Sequence, residues 1–228
     1  MKYVALDVGN VLVHANFQDF IKKLSKTFNI TMGEALYFMN RNQKLHDMGL
    51  TQMRDELGDH FKIRSEVLMD ELIKDWNNVI VADKNVLRLM NNLKNKHDLK
   101  IALLSNVGSE HLVRMKEVLD FEGFMDGTIG HFSCLVGARK PHMLFYHTFL
   151  DMHPEWEGCP YFDDVQENLD MGAQFGFKPF RFALEEVQHP SNANDTVVRH
   201  DSKYGSKLKE IEKFILDNNK PQKNSRWH

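Results

Sequence analysis

The chain has 228 residues, of which 42% are hydrophobic, enough for one full core with or without a small satellite domain. Its 29 basic and 32 acidic residues nearly cancel, so the charge balance gives no support for a nucleic-acid or anionic-membrane partner. The 2 cysteines are too few for a disulfide framework, no apolar run reaches the roughly 18 residues of a membrane span, and the first residues lack a secretory signal. We therefore expect a soluble, cytoplasmic protein.

The first predicted strand is a short apolar run at residues 3–6, and it ends on a single carboxylate, Asp7. Gly9 and Asn10 follow, and both residue types break a strand and tolerate positive φ. Open α/β sheets bind ligands where a buried strand delivers a polar group into such a turn. Asp7 is therefore a candidate site residue, although a surface aspartate that merely starts a turn has the same local sequence.

Residues 14–85 carry the pattern of four amphipathic helices and contain no strand-like run. Thr31 and Glu34 form the pattern of a capping box at the start of the second helix. The methionine and aromatic residues on the apolar faces are typical of core filling rather than of a cofactor site. We predict a small helical bundle inserted after the first strand.

From residue 86 onward, strands and helices alternate. The later predicted strands are residues 99–104, 128–130, 161–162 and 178–182. This spacing predicts a doubly wound parallel sheet, and hence an α/β fold class. The predicted domains are an α/β core (residues 1–13 and 86–185), a helical cap (14–85), and a C-terminal connection, helix and tail (186–228).

Polar side chains stand where three predicted strands end: Asp7, Ser105 with Asn106, and Asp163 with Asp164. Because the carboxyl ends of neighbouring parallel strands meet at one edge of a sheet, we expect these groups to share a crevice. Lys140 lies in a loop of the same half. Carboxylates without nitrogen or sulfur ligands suit Mg²⁺. A nucleophile, a cation and hydrogen-bond donors are also the groups that phosphoryl transfer requires.

Four segments in this order resemble the four motifs of the haloacid dehalogenase-like (HAD) superfamily: Asp7-x-Gly-Asn-Val, Leu104-Ser105-Asn106, Arg139-Lys140-Pro141 and Phe162-Asp163-Asp164. The first is similar to the phosphatase branch whose motif reads Asp-Leu-Gly-Asn-Val. The resemblance covers residues 1–13 and 86–183, with the helical insertion where the family has its cap. It implies a Rossmann-like core and Mg²⁺-dependent hydrolysis of a small-molecule phosphomonoester through an aspartyl-phosphate.

The resemblance also implies a role for each matching residue on the metal side. Asp7 would attack phosphorus and bind Mg²⁺ through its other oxygen, and Gly9 would offer its backbone carbonyl to the metal. Asp164 would be the direct carboxylate ligand. Asp163 and Asn168 would hold Asp164 and the metal-bound waters.

On the phosphate side, the resemblance implies that Ser105 and the backbone amide of Asn106 hold phosphate oxygens, and that Lys140 neutralises the nucleophile and the phosphoryl group. Structural alternatives exist for single residues. Ser105 can serve as a helix cap, Lys140 as a solvated charge, and Asp163-Asp164 as a helix start. Their joint occurrence at family-like spacing favours the site.

One position departs from the family pattern. Most phosphatases of this superfamily carry an acid–base aspartate two residues after the nucleophile, and Gly9 stands at that place. The departure predicts low turnover or an acid–base group from elsewhere, for which His14 and His46 are candidates. At the bend between the second and third helices, Arg41, His46 and Asp47 either face the substrate or belong to the solvated surface.

Three functions are compared. The first is the phosphatase described above. The second is a catalytically weak or inactive protein of the same fold that binds a ligand or regulates a partner, and Gly9 supports it. The third is a haloacid dehalogenase, against which Asp163-Asp164 argues, because such enzymes need no metal. The sequence leaves the substrate and the oligomeric state open.

Overall fold

The computed structural model describes residues 1–184 and 203–219. Its strands are β1 (Lys2–Leu6), β2 (Val13–Ala15), β3 (Ile80–Ala82), β4 (Leu99–Ser105), β5 (Ile129–Phe132), β6 (Pro160–Asp163) and β7 (Lys178–Arg181). Five of them form a parallel sheet in the order β5-β4-β1-β6-β7. The predicted doubly wound α/β fold is confirmed, and β1 is its central strand.

The α-helices begin and end close to the predicted positions, with two short additions. They are α1 (Gln18–Phe28), α2 (Met32–Arg41), α3 (Gln43–Asp47), α4 (Met53–Phe61), α5 (Glu66–Asn78), α6 (Lys84–His97), α7 (Ser109–Leu119), α8 (Ser133–Val136), α9 (Met143–Met152), α10 (Gln166–Gln174) and α11 (Lys203–Asn218). The short helices α3 and α8 are absent from the sequence prediction. No described helix is both long and apolar enough to pass through a bilayer.

The helical insertion, defined here as α1 to α5, lies between β2 and β3. The capping box of α2 is confirmed, since Thr31 Oγ1 accepts from the Glu34 N–H and the Glu34 side chain accepts from the Thr31 N–H. Ser65 caps α5 by accepting from the Leu68 N–H. Local sequence therefore sets these helix starts.

The prediction that residues 14–85 contain no strand is wrong. β2 and β3 pair in an antiparallel ribbon with His14 opposite Val81, and β2 crosses the expected domain boundary at residue 13. Each strand has only three residues, too few for a period-two pattern to be visible in the sequence. The ribbon joins both ends of the helical insertion to the core.

The core occupies both faces of the sheet, because alternate residues of a strand point to opposite faces. Leu6 and Leu103 pack on the face shared with the helical insertion and α6. Ala5 and Leu104 pack on the other face, against α9 and α10. Burial on both faces explains why these strands read as continuous apolar runs.

The C-terminal helix α11 packs against this core. Ile211 and Ile215 are fully buried, and the Tyr204 hydroxyl donates a 2.6 Å hydrogen bond to Asp83. Asn219, just beyond α11, binds both backbone groups of Tyr3 in β1. The rest of the predicted C-terminal region, residues 186–202 and 220–228, lies outside the described residues.

Candidate active site

The candidate site is a crevice at the carboxyl end of the sheet. Asp7 directly follows β1, and its backbone N–H donates a 2.8 Å hydrogen bond to the Phe162 carbonyl of β6. Ser105 ends β4 and Asp163 ends β6, the two strands that flank β1. Carboxylate oxygens of Asp7, Asp163 and Asp164 lie within 4.8 Å of one another. The structure thus brings the strand-end carboxylates together.

Lys140 joins two of these carboxylates. Its Nζ lies 2.9 Å from Asp7 Oδ1 and 2.6 Å from Asp163 Oδ2, and its side chain is 1% exposed. Burial has the largest effect on the pKa of Asp7 and raises it to about 7, while Lys140 acts in the opposite direction. Burial lowers the pKa of Lys140, but the two carboxylates outweigh burial and raise that pKa above its ordinary value. Lys140 is therefore a stable positive charge beside Asp7.

Asp163 is completely buried, and hydrogen bonds from this chain occupy both of its oxygens. Oδ1 accepts from the Val165 N–H at 2.9 Å and from Asn168 Nδ2 at 3.0 Å. Oδ2 accepts from Lys140 Nζ and from the Tyr161 hydroxyl at 2.5 Å. A metal bond to Asp163 would have to displace one of these donors. The contacts therefore favour Asp163, which the sequence also placed in the metal site, as the group that holds Lys140 and Asn168 rather than as a metal ligand.

Asp164 has a different environment from Asp163. It is half-buried, lines a cavity and accepts a 3.0 Å hydrogen bond from Asn10 Nδ2. Burial raises its pKa, and the Asn10 hydrogen bond opposes that shift. Asp7 and Asp164 are thus the carboxylates best placed to share a cation. Their oxygen donors suit a hard ion such as Mg²⁺.

Asn106 has a role that the sequence did not reveal. Its Oδ1 accepts from the Lys140 N–H at 2.8 Å, and its Nδ2 donates to the Lys140 carbonyl at 2.9 Å. The contact joins residues 34 positions apart, so no local sequence pattern predicts it. The side chain of Asn106 consequently fixes the backbone of Lys140 and leaves the Asn106 backbone N–H for another partner.

Gly9 lines the same cavity and has open space beside it. A Cβ atom built on Gly9 meets no atom within 4 Å, and its φ lies outside the left-handed region. Neither sterics nor backbone conformation therefore requires glycine here.

A cavity of about 770 Å³ lies between the crevice and the helical insertion. Its base includes Gly9, Ser105, Asn106 and Asp164. Such a volume is typical of small-molecule pockets and exceeds what a phosphate group alone would fill. The cavity therefore has room for the organic part of a substrate.

Three further predicted site residues, His14, His46 and Asp47, line this cavity. His14 Nε2 lies 3.4 Å from Asp83, and His46 Nε2 lies 3.3 Å from Glu110 Oε2. Asp47 is buried, which raises its pKa against the effect of its ion pair with Arg139. These three residues remain candidates for acid–base or substrate contacts.

Arg41 lies elsewhere, exposed on α2. Its guanidinium contacts His60 at 3.0 Å and stands 5.0 Å from the centre of the Phe38 ring. Asn40, Asn42 and Gln43 line the cavity instead. Arg41 is exposed and outside the cavity lining, so of the two alternatives left open by the sequence the contacts favour the solvated surface.

An aromatic cluster on the cavity wall was missed in the sequence. The Trp76 indole stacks on His111 with ring centres 4.0 Å apart, and Phe17 packs 5.4 Å from Trp76. His111 Nε2 lies 3.0 Å from the Trp76 carbonyl, and burial lowers the pKa of His111 to about 4. Neutral His111 therefore donates to that carbonyl. The helical spacing of Trp76 indicated a core residue and gave no sign of a cavity.

A scan of protein-family models finds no match to this chain, and a search of curated proteins finds none either. Solved structures of HAD-family enzymes do match its fold. An HAD-family enzyme from Bacteroides thetaiotaomicron, solved in complex with magnesium and inorganic phosphate, matches with a TM-score of 0.65 and 17% identity, over 87% of this chain and 100% of that chain.

Two further structures support the same fold. A predicted HAD-like family hydrolase from Porphyromonas gingivalis matches with a TM-score of 0.61 and 17% identity, over 80% of this chain and 91% of that chain. L-2-haloacid dehalogenase from Xanthobacter autotrophicus matches with a TM-score of 0.53 and 16% identity, over 79% of this chain and 77% of that chain. The chain therefore has the fold of HAD-family enzymes.

Proposed function

We propose that this protein is a Mg²⁺-dependent phosphatase that hydrolyses a small-molecule phosphomonoester through an aspartyl-phosphate on Asp7. The observation that carries the proposal is the position of buried Lys140, whose Nζ lies 2.9 Å from Asp7 and 2.6 Å from Asp163. A buried cation beside a strand-end carboxylate provides a nucleophile together with charge neutralisation for an incoming anion. The fold shared with HAD-family enzymes supports a hydrolase at this place.

The metal proposed is Mg²⁺, held by the carboxylates of Asp7 and Asp164 and the backbone carbonyl of Gly9. The donor set is entirely oxygen, and a structure of the same fold was solved with magnesium and inorganic phosphate. When bound, the ion would neutralise charge on the phosphate oxygens. Asp163 and Asn168 would keep Lys140 and Asp164 in position, since Asn168 Nδ2 donates to both oxygens of Asp163.

The phosphate would be held by Ser105, the Asn106 backbone N–H and Lys140. An oxygen of Asp7 attacks phosphorus, the bond from phosphorus to the ester oxygen breaks, and the alcohol leaves with a proton. Water then attacks the same phosphorus and returns a proton to the group that protonated the alcohol, the bond to Asp7 breaks, inorganic phosphate leaves and the carboxylate is restored. Lys140 stays positively charged in both steps, because its pKa is raised.

The proton for the leaving alcohol is the unassigned part of this mechanism, since Gly9 cannot supply it. His14 and His46 both line the cavity, and we propose them as alternatives. Replacing the histidine that acts with alanine should lower the turnover of alkyl phosphates. The same variant should keep its turnover of an aryl phosphate, because that leaving group needs no acid. Full activity in both His14→Ala and His46→Ala would exclude both.

The helical insertion is proposed to be the cap, within residues 14–85, that selects the substrate. Its residues Phe17, Trp76 and His46 line the cavity above the carboxylates. An alternative function is binding without useful turnover, which the glycine at position 9 favours. The dehalogenase reaction is less well supported, because a second carboxylate at Asp164 has no task in metal-free displacement of halide.

The test is hydrolysis of an aryl phosphate with Mg²⁺, with EDTA, and by Asp7→Asn. We expect metal-dependent phosphate release that falls by about a thousandfold in the variant. Activity that is independent of metal and survives Asp7→Asn would contradict the mechanism. If all rates are near zero, stabilisation of the fold by Mg²⁺ with orthovanadate, lost in Asp7→Asn, would support the binding alternative.

A further inference from the structure

The cavity wall above the carboxylates is largely apolar. Six of its residues come from the helical insertion, its entry and α7: Phe17, Ile21, Leu36, Met39, Trp76 and Met115. Trp76 is held in place by stacking on His111 and by contact with Phe17. Trp76 is only 4% exposed, so it closes the wall from behind and offers little ring surface of its own. Covering the apolar wall with an apolar ligand surface lowers the free energy of the complex.

The described residues that line the cavity include neither lysine nor arginine. Two carboxylates of the wall, Asp47 and Glu56, have partners within the protein: Arg139 pairs with Asp47, and the Thr51 hydroxyl donates to Glu56. His111 is neutral, since burial lowers its pKa to about 4. A second anionic group on a ligand would meet these carboxylates without any lysine or arginine of the described lining to pair with, and His14 and His46 are the remaining basic groups there.

The polar part of the wall consists mainly of neutral amides. Asn40, Asn42 and Gln43 lie at the end of α2 and the start of α3 and line the cavity. Amides donate and accept hydrogen bonds without charge, so they suit a hydroxyl or carbonyl on an otherwise apolar body.

We infer that the cavity accepts phosphate monoesters whose alcohol part is uncharged and largely apolar, such as a benzyl or aryl alcohol, and rejects esters that carry a second anionic group. The inference rests on the proposed function for the phosphate end of the ligand. Its own basis is the apolar wall and the lack of lysine and arginine in the described lining. The inference therefore excludes nucleoside diphosphates, sugar bisphosphates and phosphorylated acids as substrates, because each carries a second anionic group.

The experiment compares benzyl phosphate with 4-carboxybenzyl phosphate in the presence of Mg²⁺. A methylene separates the ring from the ester oxygen in both, so the two leaving groups have similar intrinsic reactivity. We expect kcat/KM to favour benzyl phosphate by about tenfold or more. Equal values, or a preference for the carboxylate, would overturn the inference.

Binding of the two matching phosphonates, which cannot be hydrolysed, separates this inference from the proposed function. Tighter binding of 2-phenylethylphosphonate than of its 4-carboxy derivative, without any turnover of the esters, would support the cavity's selectivity and count against the phosphatase. Equal binding of the two, or no binding of either, would overturn the inference whatever the turnover.

A variant pair tests whether charge on the wall sets the preference. Leu36 lines the cavity, whereas its neighbour Tyr37 does not and is 70% exposed. Leu36→Lys should move the preference toward the 4-carboxybenzyl ligands, and Tyr37→Lys should leave it unchanged. The same shift in both variants would indicate a general effect of protein charge and contradict a role of the wall.

Discussion

The amide side chain of Asn106 binds the backbone of Lys140 on both sides, accepting from its N–H at 2.8 Å and donating to its carbonyl at 2.9 Å. The other end of Lys140 is held as firmly, because its ammonium lies between Asp7 and Asp163. Lys140 is therefore constrained at both ends, and the end of β4 supplies one of the two constraints. The Asn106 side chain therefore positions Lys140, in addition to the phosphate contact proposed for the Asn106 backbone N–H.

We predict that Asn106→Ala lowers kcat/KM by about ten- to a hundredfold, because the backbone of Lys140 is then free to shift. The backbone N–H of residue 106 is retained in this variant. The check is a double-mutant cycle with Lys140→Ala, in which the loss caused by Asn106→Ala should almost vanish when Lys140 is already absent. Additive losses would show that the Asn106 side chain acts independently of Lys140.

Asp163→Asn should lower the stability of the protein, whereas Asp164→Asn should weaken its activation by Mg²⁺. Asp163→Asn removes a buried partner of Lys140, so the free energy of unfolding should fall by an amount on the order of 3 kcal/mol. Asp164→Asn should leave the melting temperature nearly unchanged and raise the Mg²⁺ concentration needed for half-maximal activity. Thermal unfolding and Mg²⁺ titration of both variants provide the comparison. A reversed pattern would make Asp163 the direct ligand.

Gly9→Asp should increase turnover. A built Cβ at Gly9 meets nothing within 4 Å, so the new carboxyl has room beside the nucleophile. General acid catalysis would then raise kcat for alkyl phosphates by about a hundredfold, with a smaller gain for p-nitrophenyl phosphate. Gly9→Asn is the matched control and should give no such gain. An equal gain in both variants would point to a steric effect.

His111 should make the protein less stable in mild acid. Burial lowers its pKa to about 4 in the folded state, against 6.5 ordinarily, so only the unfolded chain takes up a proton between these values. Stability should therefore be lost as pH falls from 6.5 towards 4, by an amount on the order of 3 kcal/mol. His111→Gln, which keeps a donor, should flatten that pH dependence of urea unfolding, and exposed His147→Gln should not.

The parallel sheet and its strand-end carboxylates were predictable because they depend on local sequence. β1 and β4 are buried on both faces, so they appear as continuous apolar runs that stop at polar residues. A parallel arrangement then requires those ends to meet. Asp7 and Ser105 could be identified in this way without knowledge of any contact between them.

Long-range contacts account for what the sequence did not reveal. β2 and β3 are strands only because they pair with each other, and the link between Asn106 and Lys140 spans 34 positions. Arg41 ends α2 and its neighbour Asn42 lies in the bend before α3, and Asn42 alone of the two lines the cavity. Tertiary packing decides such features, and no short window of sequence contains them.

Asn219 supplies to Tyr3 the two backbone hydrogen bonds that a neighbouring strand would otherwise provide, at 2.8 and 3.0 Å. On that side of β1, pairing with β6 includes Ala5 and Leu6, whose partners are Tyr161 and Phe162. A ribosome makes β1 first and Asn219 more than two hundred residues later. The strand that delivers Asp7 therefore lacks these two hydrogen bonds until Asn219 has left the ribosome, after all five strands of the sheet have been made.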